Sequence, residues 1–272
     1  MSEQKLHNTV ALVTGTSPNI GGGIAEGLAE VGAKVVCVDI HPENANQCAA
    51  EIVKRGGQAI GVVCDVTNEE QVKATVARAH SVYGGVDILV NSAVIFNQKG
   101  VLDMSLAEWT RQTSIILTGA FLFTKYVARQ MIDQKRPGNI INIISTAGHQ
   151  GQPRNVGYCT GKSGLLNFTR SVAMELIEYG IRVNSLTPTA TDPGESIERA
   201  ERWGQPIANA QQLRNMFEPF RKGAPMRKLP SPQHYAKAIA FLASADAEMI
   251  TGMDLRVDAG TIARYWAWTP EN

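Results

Sequence analysis

Seven short strand-like segments, most of them apolar runs, constrain this chain more than any single motif does. They are Thr9–Thr14, Lys34–Asp39, Ala59–Asp65, Val86–Asn91, Asn139–Ser145, Ile181–Leu186 and Asp254–Val257, each separated from the next by enough chain for a helix. A strand with one wet face alternates apolar and polar residues. A continuous run such as VALVT or NIINII has no polar face and suits a strand buried on both sides of a parallel sheet. Between the runs the spacing turns helical, as in IAEGLAEVGA before the Gly32 stop, Pro42–Gly56, and the stretch that Asn68 caps and Tyr83 ends. Longer amphipathic stretches run from Ser105 to Gln134 and from Asn155 to Tyr179, and a last one covers Ala236–Ala243. Strands alternating with helices predict an α/β, doubly wound fold: a seven-stranded parallel sheet with helices on both faces. With 272 residues, no internal repeat and no linker, the chain reads as one domain over 1–272.

The rhythm breaks over 188–232, a stretch rich in Pro, Gln, Arg and Asn with helical pieces at Glu195–Trp203 and Ala208–Phe220. A long insertion at that place reads as a substrate lid. Residues 261–272 form a C-terminal tail carrying Trp266 and Trp268, aromatic enough to expect cover.

Charge narrows the partners. Twenty-six basic and 25 acidic residues give a net charge of +1, with no basic patch for nucleic acid or a membrane surface. The opening MSEQKLHNTV has no apolar core of a signal peptide, and no run reaches the about 18 residues of a membrane span. Cys37, Cys48, Cys64 and Cys159 form no CxxC pair, which suits a reduced, cytoplasmic protein, and no cluster has metal-ligand spacing.

Two places carry chemistry. The turn after the first run, from Thr14-Gly15 through Ser17, Asn19, Ile20 and Gly21 to Ala25, is glycine-rich and opens a helix. Glycines there let the backbone approach a pyrophosphate that faces the helix N-terminus. Asp39 ends the second run, 24 residues after Gly15, where a carboxylate accepts from ribose hydroxyls and repels a 2′-phosphate. That favours NAD over NADP. Asp65 ends the third run and either meets the adenine edge or caps the next helix. The second place is Tyr158-Cys159-Thr160-Gly161-Lys162. A Tyr and a Lys four apart share one helix face, and an adjacent ammonium lowers a phenol's pKa toward the range useful for proton transfer. Ser145 ends the fifth run, 13 residues upstream of Tyr158.

Taken together, these residues resemble the short-chain dehydrogenase/reductase family, the one-domain, NAD-dependent, Rossmann-type kind. The resemblance spans Thr9 to about Gly260. Thr14-Gly15-(x)3-Asn19-Ile20-Gly21 is similar to the family's TGxxxGxG, Asp65-Val66 to its adenine-contacting pair, and Asn91-Ser92-Ala93-Val94 to its NNAG segment. Ser145 with Tyr158-x-x-x-Lys162 matches the catalytic residues. Arg182–Pro188 matches the strand before the nicotinamide loop, and Val257-Asp258-Ala259-Gly260 the last strand's ending. The resemblance implies that Tyr158 is the acid/base, that Lys162 lowers its pKa and holds the nicotinamide ribose, and that Ser145 polarises the substrate oxygen. It places cofactor contacts at Gly15, Ser17, Asn19, Ile20, Gly21, Asp39, Asp65, Val66, Asn91, Tyr158, Lys162, Pro188 and Thr191. It implies a homotetramer, with the tail free to reach a neighbouring subunit.

Three positions depart from the family pattern. Asn19 replaces the middle glycine of the turn and is expected to tolerate left-handed backbone. Pro188-Thr189 replaces the usual PG. Ile116 stands where W-x6-N-L-x-G has its Asn, although Trp109, Leu117 and Gly119 align. The resemblance implies that this position helps hold a water linking Lys162 to solvent. Either the relay persists through the backbone, with Thr113 helping, or proton exchange is slow and the activity has drifted.

The substrate is expected among Ile95, Phe96, Ala147, His149, Gln150, Asn155, Thr189, Trp203, Met216 and Phe217, with Arg154 available to an anion. Apolar wall mixed with hydrogen-bonding groups suits a secondary alcohol or ketone bearing further polar groups, such as a polyol, a sugar or a hydroxylated aromatic. Two alternatives stay open: an enoyl reductase-like member of the family, and a non-catalytic NAD-binding sensor or scaffold.

Overall fold

The computed structural model describes residues 5–265 and 267–269. Among these, seven strands form one sheet: β1 (Val10–Thr14), β2 (Lys34–Asp39), β3 (Ala59–Val63), β4 (Ile88–Asn91), β5 (Gly138–Ile143), β6 (Ile181–Pro188) and β7 (Asp254–Val257). Their order is β3-β2-β1-β4-β5-β6-β7, and every neighbouring pair is parallel. The order reverses between β1 and β4. In an open parallel sheet that switch point leaves a crevice beyond the strands' carboxyl ends, because the flanking helices diverge there.

The helices are α1 (Ile20–Glu30), α2 (Pro42–Lys54), α3 (Glu69–Tyr83), α4 (Leu106–Thr113), α5 (Gly119–Asp133), α6 (Val156–Leu176), α7 (Pro193–Arg202), α8 (Ala210–Gly223) and α9 (Pro232–Ala243). Their ends follow local chemistry. Asn68 caps α3 by accepting from Gln71 N, and Gly84 ends that helix with φ 83°. Ser105 and Glu108 form a capping box at the start of α4. One face of the sheet is covered by Ile24 and Leu28 of α1, Ile52 of α2, and Tyr235 and Ile239 of α9. The other face is covered by Val72 of α3, Phe123 and Val127 of α5, and Ala173 of α6. The central strands β1, β2 and β4 are thus buried on both sides, whereas the edge strands β3 and β7 are only half-buried.

Two elements differ from the sequence expectation. The stretch from Ser105 to Gln134 is not one α-helix: a π turn, Ser114–Thr118, separates α4 from α5. One extra residue per turn is inserted, with Ile116 at its centre, and such turns concentrate at functional sites. The insertion also divides in two. In α7, Ser196, Ile197, Arg199 and Ala200 are buried, whereas α8 has no buried residue.

Helix α7 is fastened to α1 by buried charge. Glu26, 4% exposed, accepts from Arg199 Nε at 3.0 Å, from Arg202 Nη2 at 3.0 Å and from Trp203 Nε1 at 3.2 Å. A carboxylate taken out of water holds its charge only with such partners. Trp203, expected to face substrate, therefore serves the core instead: its indole packs over Gly22, where an added Cβ would fall 2.7 Å from the ring. Trp266 lies outside the described residues, and Trp268 is 44% exposed.

Candidate active site

A cleft of about 250 Å³ opens at the switch point, built from the carboxyl ends of four strands. Gly15 and Ser17 follow β1, Asp39 to His41 follow β2, Cys64 to Val66 follow β3, and Ser92 to Ile95 follow β4. The glycine turn is demanded by contact and by backbone angle together. Gly15 has φ 73°, and a Cβ there would lie 2.8 Å from Ala93 Cα; a Cβ on Gly21 would lie 2.0 Å from the Gly15 carbonyl oxygen. Thr14 ties the two strand ends together: its hydroxyl accepts from Ser92 N at 3.0 Å and Ala93 N at 3.1 Å.

Asn19 does not take the left-handed conformation expected of it. Its backbone sits at φ −102°, ψ −136°, and its side chain makes no capping bond to α1. The left-handed demand falls on Gly15, so position 19 is free to carry a side chain. That side chain accepts from Ser196 Oγ of α7 at 3.1 Å.

Asp39 is buried, and one of its oxygens is fixed: Oδ1 accepts from His41 N at 3.0 Å and from Asn44 Nδ2 at 3.3 Å. Both bonds load the same oxygen, leaving Oδ2 as an oriented acceptor. Asp65 serves its own turn, accepting at Oδ1 from Thr67 N at 2.9 Å and Thr67 Oγ1 at 2.7 Å. Its other oxygen and the buried Val66 still border the cleft. Asn91 departs from expectation. Its carboxamide turns into the core, donating to Asn142 Oδ1 at 2.9 Å and Thr124 Oγ1 at 3.2 Å, because β4 is buried between β1 and β5. Ile20, the first residue of α1, is half-buried against the core.

The catalytic candidates meet at the ends of β5 and α6. Ser145 has extended backbone at φ −177°, and its hydroxyl accepts from Ala147 N at 3.2 Å. The Ser145 hydroxyl also pulls the pKa of the Tyr158 phenol down, against its burial. The Tyr158 ring packs edge-on against Phe96 with centroids 5.1 Å apart, so the half-exposed Phe96 walls the approach to the phenol. Lys162 is 3% exposed, with Nζ 5.8 Å from the Tyr158 ring centre and donating to the Ile143 carbonyl at 2.6 Å. Burial, with no carboxylate to repay it, holds the Lys162 ammonium down to about 7.

That geometry reverses one expectation. The Tyr158 phenol is not lowered but raised above its ordinary value, because burial outweighs the pull of the Ser145 hydroxyl. The Lys162 proton is directed at Ile143 rather than at the phenol.

Beside Lys162 is a cavity of about 10 Å³, bordered by Thr14, Asn91 and the π-turn residue Ile116. That is room for about one water. Ile116 is itself buried against Gly161, where an added Cβ would lie 2.9 Å from its Cδ1.

The expected substrate residues separate. Ala147 is only 2% exposed. His149 Nε2 is committed to Thr187 Oγ1 at 3.1 Å and Asp254 Oδ2 at 3.2 Å, clasping the Ser145 loop to the ends of β6 and β7. Asn155 precedes α6, 3% exposed, with Nδ2 on Gln152 Oε1 at 3.0 Å and no partner for Oδ1. Pro188 ends β6, and Thr191 Oγ1 pairs with Tyr235 OH at 2.9 Å. Sequence reasoning missed Glu26: nothing local marks it, and its partner Arg199 lies 173 positions away.

Comparison with known proteins agrees with this arrangement. A family model described as "Enoyl-(Acyl carrier protein) reductase" matches residues 15–261. A 3-oxoacyl-(acyl-carrier-protein) reductase from Aquifex aeolicus is 35% identical over 259 residues, covering 95% of this chain and 99% of that protein. A galactitol 2-dehydrogenase from Agrobacterium fabrum is 34% identical over 261 residues, covering 94% and 98%. A crystal structure of a short-chain type dehydrogenase/reductase from Mycobacterium marinum superposes with a TM-score of 0.83 at 31% identity, covering 96% of this chain and 98% of that one. Fold and matches together define an oxidoreductase of the nicotinamide-dependent kind. The chain belongs to the short-chain dehydrogenase/reductase family.

Proposed function

We propose that this protein is an NAD-dependent alcohol dehydrogenase or carbonyl reductase acting on a secondary alcohol or ketone with further hydroxyl groups. The observation that carries the reading is the meeting of Ser145, Tyr158 and the buried Lys162, with Tyr158 packed on Phe96 next to Ile95 of a cleft whose β2 end presents Asp39 with one oxygen open. The cleft suits a dinucleotide. Gly15 and Gly21 leave backbone room at the α1 N-terminus for a pyrophosphate, Asp39 Oδ2 offers an acceptor for ribose hydroxyls, and Asp65 and Val66 border the adenine position. A carboxylate at Asp39 repels a 2′-phosphate, which selects NAD. Ser17, Asn19, Ile20, Pro188 and Thr191 complete the cofactor contacts, and Asn91 acts by bracing β4 and β5.

The bound nicotinamide supplies or accepts the hydride. The protein's residues manage the oxygen and its proton. Ser145 donates to the substrate oxygen and fixes its position. Tyr158 gives that oxygen a proton in reduction and takes one in oxidation. Lys162, balanced near 7, provides a charge beside the phenol that is available at neutral pH. The water-sized cavity between Lys162 and the π turn gives the proton a backbone-lined exit without an Asn at position 116.

A polyol is favoured over a simple alcohol. Two relatives at 34% and 33% identity are named galactitol 2-dehydrogenase and D-threitol dehydrogenase. The enoyl reductase reading has the family model's description for support, but Ser145 lies 13 residues before Tyr158, the separation of the alcohol-forming branch. Further parts of the proposal are a single domain over 1–272 with α8 as the moving part of the lid, a homotetramer, and a cytoplasmic setting. Among the described residues no helix is long and apolar enough to cross a membrane.

The test is an NAD-linked oxidation screen across polyols, sugars, aryl carbinols and hydroxy acids, with an enoyl thioester as the competing substrate. Turnover of a polyol or sugar, abolished by Tyr158→Phe, is expected. NADH binding without turnover of any of these would favour the sensor or scaffold reading.

A further inference from the structure

The acidic cleft contains one cation that the cofactor motif does not call for. Arg111 of α4 lines it, as does Ile115 four residues on, and Arg111 is the one Arg or Lys on a lining that includes Asp39 and Asp65. Arg111 is exposed, and among the described residues its guanidinium makes no ion pair or hydrogen bond. A long charged side chain at the mouth of a cleft, with two carboxylates opposite and no partner engaged, is placed for a ligand rather than for the fold.

Its position indicates which part of the ligand. Arg111 also borders the adjoining hollow with Thr67 and Leu106, so it stands by the Asp65–Thr67 turn after β3. The glycine turn after β1 already offers backbone N–H groups for a diphosphate. Around the Asp65 end, two large apolar side chains lie open to solvent on the cleft: Ile40 at 45% and Val94 at 43% exposure. Val94 occupies the last position of the segment that resembles NNAG, so this chain adds an apolar wall where that segment has no side chain. Exposed aliphatic surface suits one face of a flat ring, and a guanidinium stacks on the other through its own plane and its charge.

We propose that Arg111 is a cofactor-binding residue that closes the adenosine end of the cleft by stacking on one face of the adenine ring, whose other face rests on the aliphatic surface of Ile40 and Val94. The inference rests on the nicotinamide-dinucleotide reading above. It assigns Arg111 a role in affinity that leaves the hydride and proton chemistry at Tyr158 untouched.

The test is direct titration of the full-length protein with NADH, followed by nicotinamide fluorescence, beside reduced nicotinamide mononucleotide, which lacks the adenosine. Arg111→Ala is expected to raise the Kd for NADH about 3- to 30-fold. The Kd for the mononucleotide should not change. Arg111→Lys should recover little of the loss, since a compact ammonium lacks the plane that stacks, and the loss should persist at high salt. An unchanged NADH affinity in Arg111→Ala overturns the inference alone. Full rescue by Lys with a loss that disappears at high salt overturns it in favour of a diphosphate ion pair. Wild-type protein that binds neither NADH nor NADPH overturns the functional reading and this inference with it. The exposed position makes misfolding of these variants improbable on physical grounds, and an unchanged melting temperature checks it.

Discussion

Replacing Lys162 by Met should make the protein more stable at pH 6, with the advantage shrinking toward zero by pH 9. Met keeps the length of the side chain and removes the ammonium that burial disfavours. The folded-state pKa is about 7 against 10.5 for an ordinary lysine. The unfolded chain therefore binds more protons between those values, and the stability of the wild type rises with pH across that window. At ~1.4 kcal/mol per pKa unit, the buried lysine costs about 5 kcal/mol at pH 6 and about 2 kcal/mol at pH 9. Met also forfeits the 2.6 Å bond to the Ile143 carbonyl. That loss, about 1–3 kcal/mol, is a subtraction at both pH values only to the extent that neutral and charged amines donate alike. The stability advantage of Lys162→Met over wild type should thus be larger at pH 6 than at pH 9 by about 3 kcal/mol. Urea unfolding of both proteins at the two pH values measures it. A difference that does not change with pH would refute the reasoning, because Lys162 would then keep an ordinary pKa in the fold. A variant more stable than wild type yet without turnover would show that the lysine is kept for chemistry at a cost to stability.

Three further outcomes follow from the same geometry. Ile116→Asn removes a fully buried aliphatic side chain and leaves an amide against Gly161, so it should cost about 3–5 kcal/mol in urea unfolding; the turnover pH profile should stay in place, because the proton's exit runs through the π-turn backbone. Asp39→Ala should weaken NADH about 10- to 100-fold in a binding titration and narrow the preference against NADPH, since it removes both an acceptor and a repelling charge. Glu26→Ala strands Arg199 in the interior and should destabilise the fold by about 3–5 kcal/mol, with α7 becoming the first site of proteolysis.

Much of the fold is legible in the sequence, for a simple reason. Strands buried on both faces must be continuous apolar runs, and β2 begins and ends where its run does. The glycine turn is legible because Gly15 has a backbone angle that few other residues tolerate. What stayed hidden depends on distance or on competition between forces. The bond between Glu26 and Arg199 joins residues 173 apart, so Trp203 looks like a lid residue in the sequence while it packs against α1. The break at Ser114–Thr118 hides inside a sound helical pattern, since the inserted residue shifts the phase without adding a Pro or Gly. The pairing of Tyr158 with Lys162 follows from their spacing, but the direction of their pKa values does not. It depends on burial, and here burial raises the phenol and lowers the amine.

The most direct test of the central claim separates binding from chemistry in Tyr158→Phe. The variant should bind NADH within about twofold of wild type, because the cleft from Gly15 to Val66 is untouched. Its turnover of the best alcohol from the oxidation screen should fall about 100- to 10,000-fold, the usual contribution of a positioned acid/base. NADH binding retained together with turnover near the wild-type rate would contradict the account, since the proton would then move without Tyr158.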